Sequence, residues 1–297
     1  MTGADGGFRC GHVAIVGRPN VGKSTLLNRL VGEKISITSK KAQTTRHRVT
    51  GILTTADAQY VFVDTPGWQL RHRSRLNERM NRSVRDSLTD VDAVVLVLEA
   101  GRTTDGDRAV IALLPPGARV VAALNKTDQL ADRDRMLPQM ADLAQSHPFA
   151  AIVPVSAEKE RGLDALLAAL RELLPEAPPV FDADDVTDRD ERFLAAEFIR
   201  EKIFRLLGDE VPYAATVVID QFEQEGALRR IRATVFVDRE SQKGILLGAG
   251  GAQMKEIATK ARADMERLFG GPVFLDVWVR VRQGWADDDA QLTRLGY

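Results

Sequence analysis

A glycine-rich segment near the start of the chain restricts the possible fold more than any other feature. It runs from Gly17 to Ser24 in the pattern G, four residues, then GKS, and it follows the apolar run 12–16. In this pattern a strand passes through a tight loop into a helix, and the backbone N–H groups of the loop and the helix N-terminus attract a polyphosphate. Lys23 would reach the β- and γ-phosphates, and the Ser24 hydroxyl would hold Mg²⁺. The segment predicts a nucleoside triphosphate site without naming the base.

A second motif, Asn125-Lys126-Thr127-Asp128, follows the apolar run 120–124 and supplies the base. The Asp128 carboxylate can accept hydrogen bonds from the N1–H and the exocyclic amine of guanine, and adenine has no such donor pair on that edge. Asn125 would bond the other side of the ring, and the stem of Lys126 would lie along its face. A site built for specific hydrogen bonds rejects an analogue that lacks them by roughly 10⁴- to 10⁵-fold. GTP is therefore favoured over ATP.

The third motif, Asp64-Thr65-Pro66-Gly67, closes the apolar run 60–63. A carboxylate at the end of a buried strand beside the phosphate loop is placed to hold Mg²⁺ through water, and the N–H of Gly67 can meet the γ-phosphate. Upstream, a threonine would be a further Mg²⁺ ligand that senses the γ-phosphate, and we predict Thr45 rather than Thr44 for this role. Each motif alone also fits a capped turn or a helix start, but each follows a predicted strand, and the three together argue against coincidence.

Three sets of residues follow from these motifs. The predicted metal ligands are Ser24, Thr45 and Asp64, and the predicted catalytic residues are Lys23, Thr45 and Gly67. The predicted nucleotide-binding residues are Gly17, Asn20, Val21, Gly22, Lys23, Ser24, Thr25, Asp64, Gly67, Asn125, Lys126, Asp128, Ser156, Ala157 and Glu158, where the backbone of Ser156-Ala157 would place an N–H near the guanine oxygen.

Length and composition favour a water-soluble protein of two domains. At 297 residues the chain exceeds the usual size of one domain, roughly 100 to 200 residues. No apolar stretch approaches the roughly 20 residues of a membrane span, and the start, Met1–Gly7, lacks the apolar centre of a signal peptide. The single cysteine, Cys10, cannot form an internal disulfide. We expect a cytoplasmic protein.

The first part of the chain alternates apolar runs with helical patterns. Strands are predicted near 12–17, 49–55, 59–64, 92–99, 119–124 and 151–155, and helices near 23–32, 76–89, 107–114, 132–147 and 162–174. This alternation is typical of an α/β fold with a mostly parallel sheet and helices on both faces. Prolines and acidic residues after Leu174 predict a linker. The predicted organisation is a flexible N-terminus (1–10), a GTP-binding domain (11–174), a linker (175–190) and a second domain (191–297).

The second domain has a different order of elements. A helix is predicted over 191–208, strands over 215–222 and 231–237 around a turn at Gly226, a short helix ending in Gly248-Ala249-Gly250-Gly251, a helix to Leu268, and a strand over 273–279. This is the order of an α+β, type II KH domain, whose GxxG loop clamps the backbone of single-stranded nucleic acid. The predicted RNA-binding residues are Gly248, Ala249, Gly250, Gly251, Lys243 and Lys255. The domain has no basic surplus, with 16 Lys+Arg against 17 Asp+Glu over 191–297.

These motifs together resemble the Era family of bacterial GTPases, in which a G domain precedes a KH domain. The most specific matches are GRPNVGKSTLLN from Gly17, SITSKKAQTTRHR from Ser36, DTPG from Asp64, NKTD from Asn125 and WADD from Trp285. The resemblance implies a GTP-hydrolysing factor that binds the 3′ end of 16S ribosomal RNA and assists assembly of the 30S subunit.

Two positions depart from the family pattern. Ala249 stands where the family usually has a lysine inside GxxG, which would remove one phosphate contact. Trp68 follows DTPG, where the family commonly has leucine and Ras-like enzymes have a water-orienting glutamine; an indole offers no acceptor for that purpose. Hydrolysis should therefore rely on Mg²⁺, Lys23 and the loop amides. The resemblance also suggests that Asn20 coordinates K⁺ and that K⁺ stimulates turnover.

Two other functions stay open on the sequence. One is a GTP-dependent adaptor whose C-terminal domain binds a protein, and the other is a tRNA-directed G protein. The latter would normally need extra catalytic residues, and histidine occurs only at positions 12, 47, 72 and 147. We expect a monomer. Weak peripheral association with a membrane also stays open, although no amphipathic anchor stands out.

Overall fold

The computed structural model describes residues 7–39, 41, 43–68, 74–208 and 210–295, so the first six residues of the predicted flexible N-terminus lie outside the described residues. The chain divides into two compact units. The first unit comprises Met1–Ser36, Thr45–His72 and Met80–Asp188, and the second comprises Ile37–Thr44, Arg73–Arg79 and Arg189–Tyr297. In the described part of the chain no helix is long and apolar enough to cross a membrane.

The first unit is built on a six-stranded sheet in the order β2-β3-β1-β4-β5-β6. All neighbouring pairs are parallel except β2–β3. The strands are β1 Arg9–Val16, β2 Val49–Thr54, β3 Ala58–Asp64, β4 Ala93–Glu99, β5 Val120–Asn125 and β6 Ala151–Pro154. The helices are α1 Lys23–Val31, α2 Arg75–Asp86, α3 Asp105–Ile111, α4 Met136–Ser146 and α5 Leu163–Arg171, with the first residues of α2 grouped in the second unit.

The central strands are buried because helices cover both faces of the sheet. All residues of β3 and β5, and all of β4 except its last, are buried, as expected for strands that read as continuous apolar runs. The predicted mostly parallel sheet is confirmed. Strand β1 lies between β3 and β4, so the chain order reverses at β1 and leaves a crevice at its carboxyl end. Ligands of open α/β sheets bind at such a reversal.

The segment after α5 is held along the β2–β3 edge of the first unit. The Gln59 side chain is fully buried, accepts hydrogen bonds from Val180 N (2.7 Å) and Phe181 N (3.0 Å), and donates one to Phe181 O (2.9 Å). The N–H of Ile52 donates to Val186 O at 2.9 Å. The Ile52 bond satisfies a backbone N–H that the edge strand β2 would otherwise leave open, and Gln59 satisfies backbone groups of the segment itself.

The second unit is an α+β domain with a three-stranded sheet in the order β7-β8-β9. Strand β8 is antiparallel to β7 and parallel to β9. Its elements are α6 Glu191–Leu206, α7 Glu210–Ala214, β7 Thr216–Glu225, β8 Leu228–Val237, α8 Glu240–Leu247, α9 Ala252–Phe269, β9 Val273–Val281 and α10 Asp289–Arg294. The predicted KH order is confirmed, while α7 and α10 are additions that the sequence pattern did not reveal.

Side chains of β8 point alternately to the two faces of the sheet, and the completely buried apolar ones show which face the helices cover. On β8, Ile231, Ala233, Val235 and Val237 are completely buried and join the core under α6, α8 and α9. The residues between them point to the opposite face, as period-two alternation requires. Trp285, the first residue of the WADD motif, is also completely buried, and its Nε1 donates to Ala214 O at 2.9 Å. The indole therefore fastens the segment after β9 to the end of α7.

Two short segments from the first third of the chain pack within the second unit. In 37–44, Thr38 N donates to Glu201 Oε1 on α6 at 3.0 Å, and Arg205 Nε donates to Thr38 O at 3.1 Å. In 73–79, Arg79 forms an ion pair with Asp289 at 3.1 Å. Both segments follow motifs of the first unit in sequence, yet their contacts are with α6 and α10.

Candidate nucleotide site

The loop between β1 and α1 has the conformation that a phosphate-binding loop needs. Gly22 has φ +100°, and a Cβ at this position would lie 2.3 Å from Asn125 Nδ2. Gly17 also has a positive φ, +154°, and a Cβ there would lie 2.5 Å from Val97 O. Because only glycine avoids both problems, these two positions fix the loop. Asn20 is exposed with φ +65°, Val21 is buried, and Thr25 is half-buried on α1.

The N-terminus of α1 is left open to an anion. Gly22 is its N-cap and provides no side-chain cap, so its first N–H groups have no such acceptor. Lys23, the first helical residue, is 6% exposed, and its Nζ donates to Gly17 O and Arg18 O, both at 3.1 Å. Burial lowers the pKa of Lys23 to about 8; Asp64 acts against this shift and Arg18 adds to it. The ammonium is thus held at the centre of the loop by two weak neutral acceptors.

Three oxygen-bearing side chains meet beside Lys23, and all three are predicted metal ligands. Ser24 Oγ donates to Asp64 Oδ2 at 2.7 Å and lies 2.8 Å from Thr45 Oγ1. Asp64 is completely buried, and its Oδ1 is a buried atom without a hydrogen-bond partner. Burial raises the pKa of Asp64, while Lys23 and hydrogen bonds from its neighbours act in the opposite direction. A carboxylate and two hydroxyls form the oxygen set that Mg²⁺ prefers, and the unpartnered Oδ1 fits a group that binds there.

The DTPG turn approaches the phosphate loop through its glycine. A Cβ on Gly67 would lie 2.9 Å from the backbone N and Cα of Pro19, so glycine is required for this close approach. The next residue, Trp68, donates from its backbone N to Gly17 O at 3.4 Å. Its half-buried ring packs on the β4 side of the core with Arg85 5.2 Å from the ring centroid. Trp68 therefore acts as a packing residue beside the loop.

Asn125 connects the base-recognition motif to the phosphate loop. Its Nδ2 donates to Val21 O at 2.9 Å, and its Oδ1 accepts from Ala157 N at 3.0 Å. The side chain is 2% exposed. In the structure this amide therefore bonds to protein groups, so it holds the ends of β1, β5 and β6 together. Each such bond contributes about 1 kcal/mol net.

The remaining base-recognition residues lie on the loops after β5 and β6. Asp128 is exposed, and its Oδ1 accepts a hydrogen bond from Ser156 Oγ, which fixes the carboxylate orientation. Ser156 and Ala157 are buried, whereas Glu158 is exposed. Lys126 has φ +68° and reaches Glu99 Oε2 with its Nζ at 3.4 Å. All predicted nucleotide residues are in the first unit, where they line the carboxyl ends of β1, β3, β5 and β6.

A charged network that the sequence did not point to joins the two halves of this site. Arg18, inside the phosphate loop, donates to Glu99 Oε2 (2.9 Å) and to Asp107 Oδ1 (3.2 Å). Glu99 also binds Lys126 and Arg102. Burial raises the pKa of Glu99, but the three cations outweigh it and hold the pKa below its usual value. Glu99 is the last residue of β4. Its position at the end of a predicted strand is the only sequence signal that could have identified it as part of the site.

Ser36 and Asn28, to which the sequence did not point, position the carboxylate of Asp64, the predicted metal ligand. Ser36 Oγ donates to Asp64 Oδ2 at 2.9 Å, and Ser36 is 1% exposed. The Asn28 side chain on α1 accepts from Ser36 N at 2.9 Å and donates to Ser36 O at 2.7 Å. Asn28 thereby holds Ser36 under Asp64. Both residues lie inside the quoted motifs, but only the fold brings them to the carboxylate.

The predicted RNA-binding residues surround the turn between α8 and α9. Gly248, Gly250 and Gly251 have φ of +71°, +58° and +82°, so all three adopt backbone that favours glycine. Ala249 and Gly250 are exposed. Lys255 is exposed on the first turn of α9. Lys243 on α8 is half-buried, and its Nζ lies 3.8 Å from Glu240 Oε2. The loop therefore presents open backbone with two lysines beside it.

Comparisons with family models agree with this division of the chain. Residues 12–126 match the family described as 50S ribosome-binding GTPase, and residues 210–286 match the KH domain family. Curated relatives extend over the full length. The chain is 55% identical to GTPase Era of Nitrosomonas eutropha over 291 residues and 54% identical to GTPase Era of Bordetella avium over 290 residues. In both cases the alignment covers 98% of each chain.

Two solved structures have the same fold over the whole chain. A single-residue variant of Aquifex aeolicus Era bound to GDP·AlF₄⁻ is 37% identical with a TM-score of 0.93, and Era in complex with MgGDPNP and nucleotides 1506–1542 of 16S ribosomal RNA is 36% identical with a TM-score of 0.93. Each match covers 98% of this chain and 99% of the other. With these full-length similarities, the nucleotide site and the KH unit identify the chain as a member of the Era family of GTPases.

Proposed function

We propose that this GTPase binds the 3′ region of 16S ribosomal RNA and assists assembly of the small ribosomal subunit. The observation that carries the proposal is the full-length similarity, with a TM-score of 0.93, to an Era structure that holds a nucleotide analogue and nucleotides 1506–1542 of this RNA. The open Gly248–Gly251 turn supports it, because a KH loop binds a nucleic acid backbone through such a turn.

Ser24, Thr45 and Asp64 are the residues that would hold Mg²⁺. When bound with GTP, Mg²⁺ would neutralise charge on the β- and γ-phosphate oxygens. The chain contributes Lys23 and the N–H groups at the start of α1 to the same charge. The Gly67 backbone, which lies against Pro19, would donate to the γ-phosphate. These donors are preorganised, so they stabilise developing charge without reorganisation.

Turnover by this arrangement should be slow without a further positive charge. The half-buried Trp68 offers no acceptor for a water, and we assign no arginine finger to the site. G domains hydrolyse GTP on the order of 10⁻⁴ s⁻¹ without an arginine at the site, and on the order of 10⁻² s⁻¹ with an arginine of their own there. Such a rate suits a switch that changes state during assembly.

We also propose that K⁺ accelerates turnover through Asn20. Its exposed side chain on the phosphate loop, at φ +65°, has an amide oxygen available to a cation. GTP turnover measured in KCl should exceed turnover in NaCl at equal ionic strength, and Asn20→Ala should remove the difference while guanine nucleotide affinity persists. Equal rates in the two salts for the unaltered chain would refute this role.

The RNA proposal is tested by two matched glycine substitutions. Gly250→Asp puts a carboxylate into the KH turn, and Gly226→Asp puts the same residue into the β7–β8 hairpin. The two positions have similar φ values, +58° and +62°, and a Cβ meets nothing within 4 Å at either. Aspartate tolerates this conformation. The affinity of labelled RNA with the sequence of nucleotides 1506–1542 should fall by about 10-fold or more in Gly250→Asp, because a carboxylate repels phosphate.

The control variant and a second RNA separate this proposal from its alternatives. Gly226→Asp should bind the RNA as the unaltered chain does. A protein adaptor would bind neither this RNA nor a tRNA, and a tRNA-directed G protein would prefer the tRNA. Either result, or equal losses in the two glycine variants, would count against rRNA binding through the KH turn.

The remaining assignments are proposals of the same kind. We propose domain boundaries at 11–174 and 191–297 with 175–190 between them, a monomer, and a cytoplasmic location, which suits a factor acting on the small subunit. Weak peripheral membrane association remains an alternative that a vesicle flotation assay would test.

A further inference from the structure

The outer face of the second unit's sheet, away from the helices, carries an exposed aromatic surface. Trp278 on β9 is 58% exposed, the highest value among the exposed tryptophans and phenylalanines. Phe236 on β8 and Arg280 on β9 are in register with each other on the same face. The guanidinium of Arg282 lies over the Phe236 ring, 4.4 Å from its centroid. Phe236, Trp278, Arg280 and Arg282 are called the tryptophan face below.

The rings and cations on this face are held in place by neighbouring groups. Trp278 Nε1 donates to Asp276 Oδ2 at 3.1 Å, which fixes the direction of the indole. Stacking on Phe236 orients the Arg282 plane. An ordered aromatic ring and a flat guanidinium are the two side-chain surfaces on which unpaired bases stack. The face therefore offers stacking surfaces that need little ordering when a ligand binds.

Two arginines beside the exposed indole are available to an anionic ligand. Within the described residues, no carboxylate lies within ion-pair distance of Arg280 or Arg282. Glu223 and Glu225 lie towards the hairpin, where Glu225 pairs with Arg230 at 2.7 Å. Asp276 accepts a hydrogen bond from Trp278, and Asp220 accepts one from Thr234, the residue in register with Trp278. The two arginines thus add positive charge without an ion-pair partner beside the exposed indole, although the second domain as a whole has no surplus of basic residues.

The fold brings strand β9, whose outer side carries Trp278, near the helices that the GxxG turn connects. Strand β9 packs against both α8 and α9, the two helices that the turn connects. Its last residues lie beside the end of β8, where Arg282 N donates to Val237 O at 2.8 Å. Helix α8 starts three residues later and spans eight residues, or about 12 Å, to the turn. Because β9 is an edge strand of this sheet, one nucleic acid strand that passes over the edge can contact both the turn and the outer face.

We propose that the tryptophan face is a second RNA-binding surface, on which single-stranded nucleotides next to those held at Gly248–Gly251 stack on Trp278 while Arg280 and Arg282 contact phosphates. A KH turn clamps about four nucleotides, so a longer single strand has flanking nucleotides to place. The inference rests on the proposed RNA-binding function and adds a second contact to it.

The test uses the full chain and labelled RNA of nucleotides 1506–1542. Trp278→Ala should weaken binding by about 5- to 100-fold, the loss expected for one stacked base, and Trp278→Phe should recover most of it because a ring remains. Leu137→Ala removes another large exposed side chain, 62% exposed on α4, and should bind normally. Arg280→Ala should reduce the slope of log affinity against log salt by about 0.7. Arg267→Ala, at an exposed position of α9, is the control variant for Arg280→Ala.

Tryptophan fluorescence gives a readout that a general loss of stability would not produce. RNA should protect the unaltered chain from iodide quenching, and Trp278→Phe should lose that protection, since Trp285 is completely buried and half-buried Trp68 belongs to the first unit. Normal RNA affinity of Trp278→Ala together with an unprotected Trp278 would overturn the inference and leave the face for a protein partner. If Gly250→Asp still loses RNA in that case, the proposed function stands. If the unaltered chain binds no RNA, both fail together.

Discussion

Two side chains, buried Asn125 and half-buried Arg18, connect the parts of the nucleotide site. Asn125 bonds to Val21 O and Ala157 N, and Arg18 bonds to Glu99 and Asp107. Both side chains connect the phosphate loop to strands that end elsewhere in the sheet. A ligand that touches phosphate and base at once therefore meets one connected framework, which lowers the ordering cost of binding.

We predict that the preference for guanine depends on one carboxylate, Asp128. In Asp128→Asn an amide replaces the acceptor pair for the guanine N1–H and amine, and two charge-assisted bonds are lost. GTP affinity should fall by roughly 10²- to 10⁴-fold, and xanthine nucleotide, with an oxygen in place of the amine, should bind better than to the unaltered chain. Titration calorimetry with the two nucleotides measures both changes. Asp132→Asn, an exposed residue further along the same loop, serves as the control; undiminished GTP binding by Asp128→Asn would disprove the assignment.

Ionisation of Tyr60 should make the stability of the first unit depend on pH. Burial raises its pKa to about 12, with Asp57 adding to the shift, and its hydroxyl donates to Leu167 O at 3.1 Å. Because the folded pKa exceeds the unfolded value near 10, the contribution of Tyr60 to stability is complete below pH 10 and is lost between 10 and 12. Tyrosinate absorbance should show one late-titrating tyrosine that Tyr60→Phe removes. In denaturant all tyrosines should titrate together, and an unchanged titration curve for Tyr60→Phe would contradict the assignment.

At the scale of elements, the turn between α8 and α9 is built before any ligand arrives. Gly248, Gly250 and Gly251 all have positive φ values. The N-cap of α9 is Gly251, so the N-terminus of this helix has no side-chain cap. Uncapped N–H groups and the helix dipole both favour a phosphate at this place. Ala249 is exposed there, so a longer side chain would meet no packing penalty.

Ala249→Lys should therefore strengthen RNA binding. A lysine in the turn adds one phosphate contact, so affinity should rise several-fold at low salt, and the slope of log affinity against log salt should steepen by about 0.7. Fluorescence titrations at a series of salt concentrations measure both quantities. Ala290→Lys adds the same charge at an exposed position of α10 and should change neither. An unchanged slope for Ala249→Lys would mean that the turn does not face a phosphate.

The strands of the second unit show how far local patterns reach. Strands β7 and β8 extend to residues 225 and 228, beyond the predicted ends at 222 and 231. Their outer residues, such as Glu223 and Arg230, are polar and give no apolar signal, yet the antiparallel ladder continues through them to the hairpin at Gly226. Pairing with a neighbouring strand, which a single segment cannot reveal, lengthened both elements.

For the whole molecule, guanine nucleotide should act as a stabilising ligand. A ligand at about 100 times its Kd adds about 2.7 kcal/mol to the free energy of unfolding of a chain that binds it only when folded. For a unit of this size the unfolding midpoint should rise by about 5 to 10 °C. GDP with Mg²⁺ should produce this shift in a thermal melt, and ADP with Mg²⁺ should not. Chelation of Mg²⁺ should reduce the shift, because Ser24, Thr45 and Asp64 then lose their cation. Equal shifts for GDP and ADP would contradict guanine recognition.

The sequence by itself determined the family, the parallel sheet, the order of the KH elements and the place of each motif at a strand end. These features are local, since loop glycines, alternating apolar residues and short motifs act on their own neighbourhood. Only the tertiary structure brought Arg18 to Glu99 and Ser36 to Asp64, grouped 37–44 and 73–79 with the second unit, and left Trp278 exposed. The contacts among these features join residues 28 to more than 200 positions apart in the chain. Such contacts form only when separate elements pack together, and the same packing decides which side chains stay exposed.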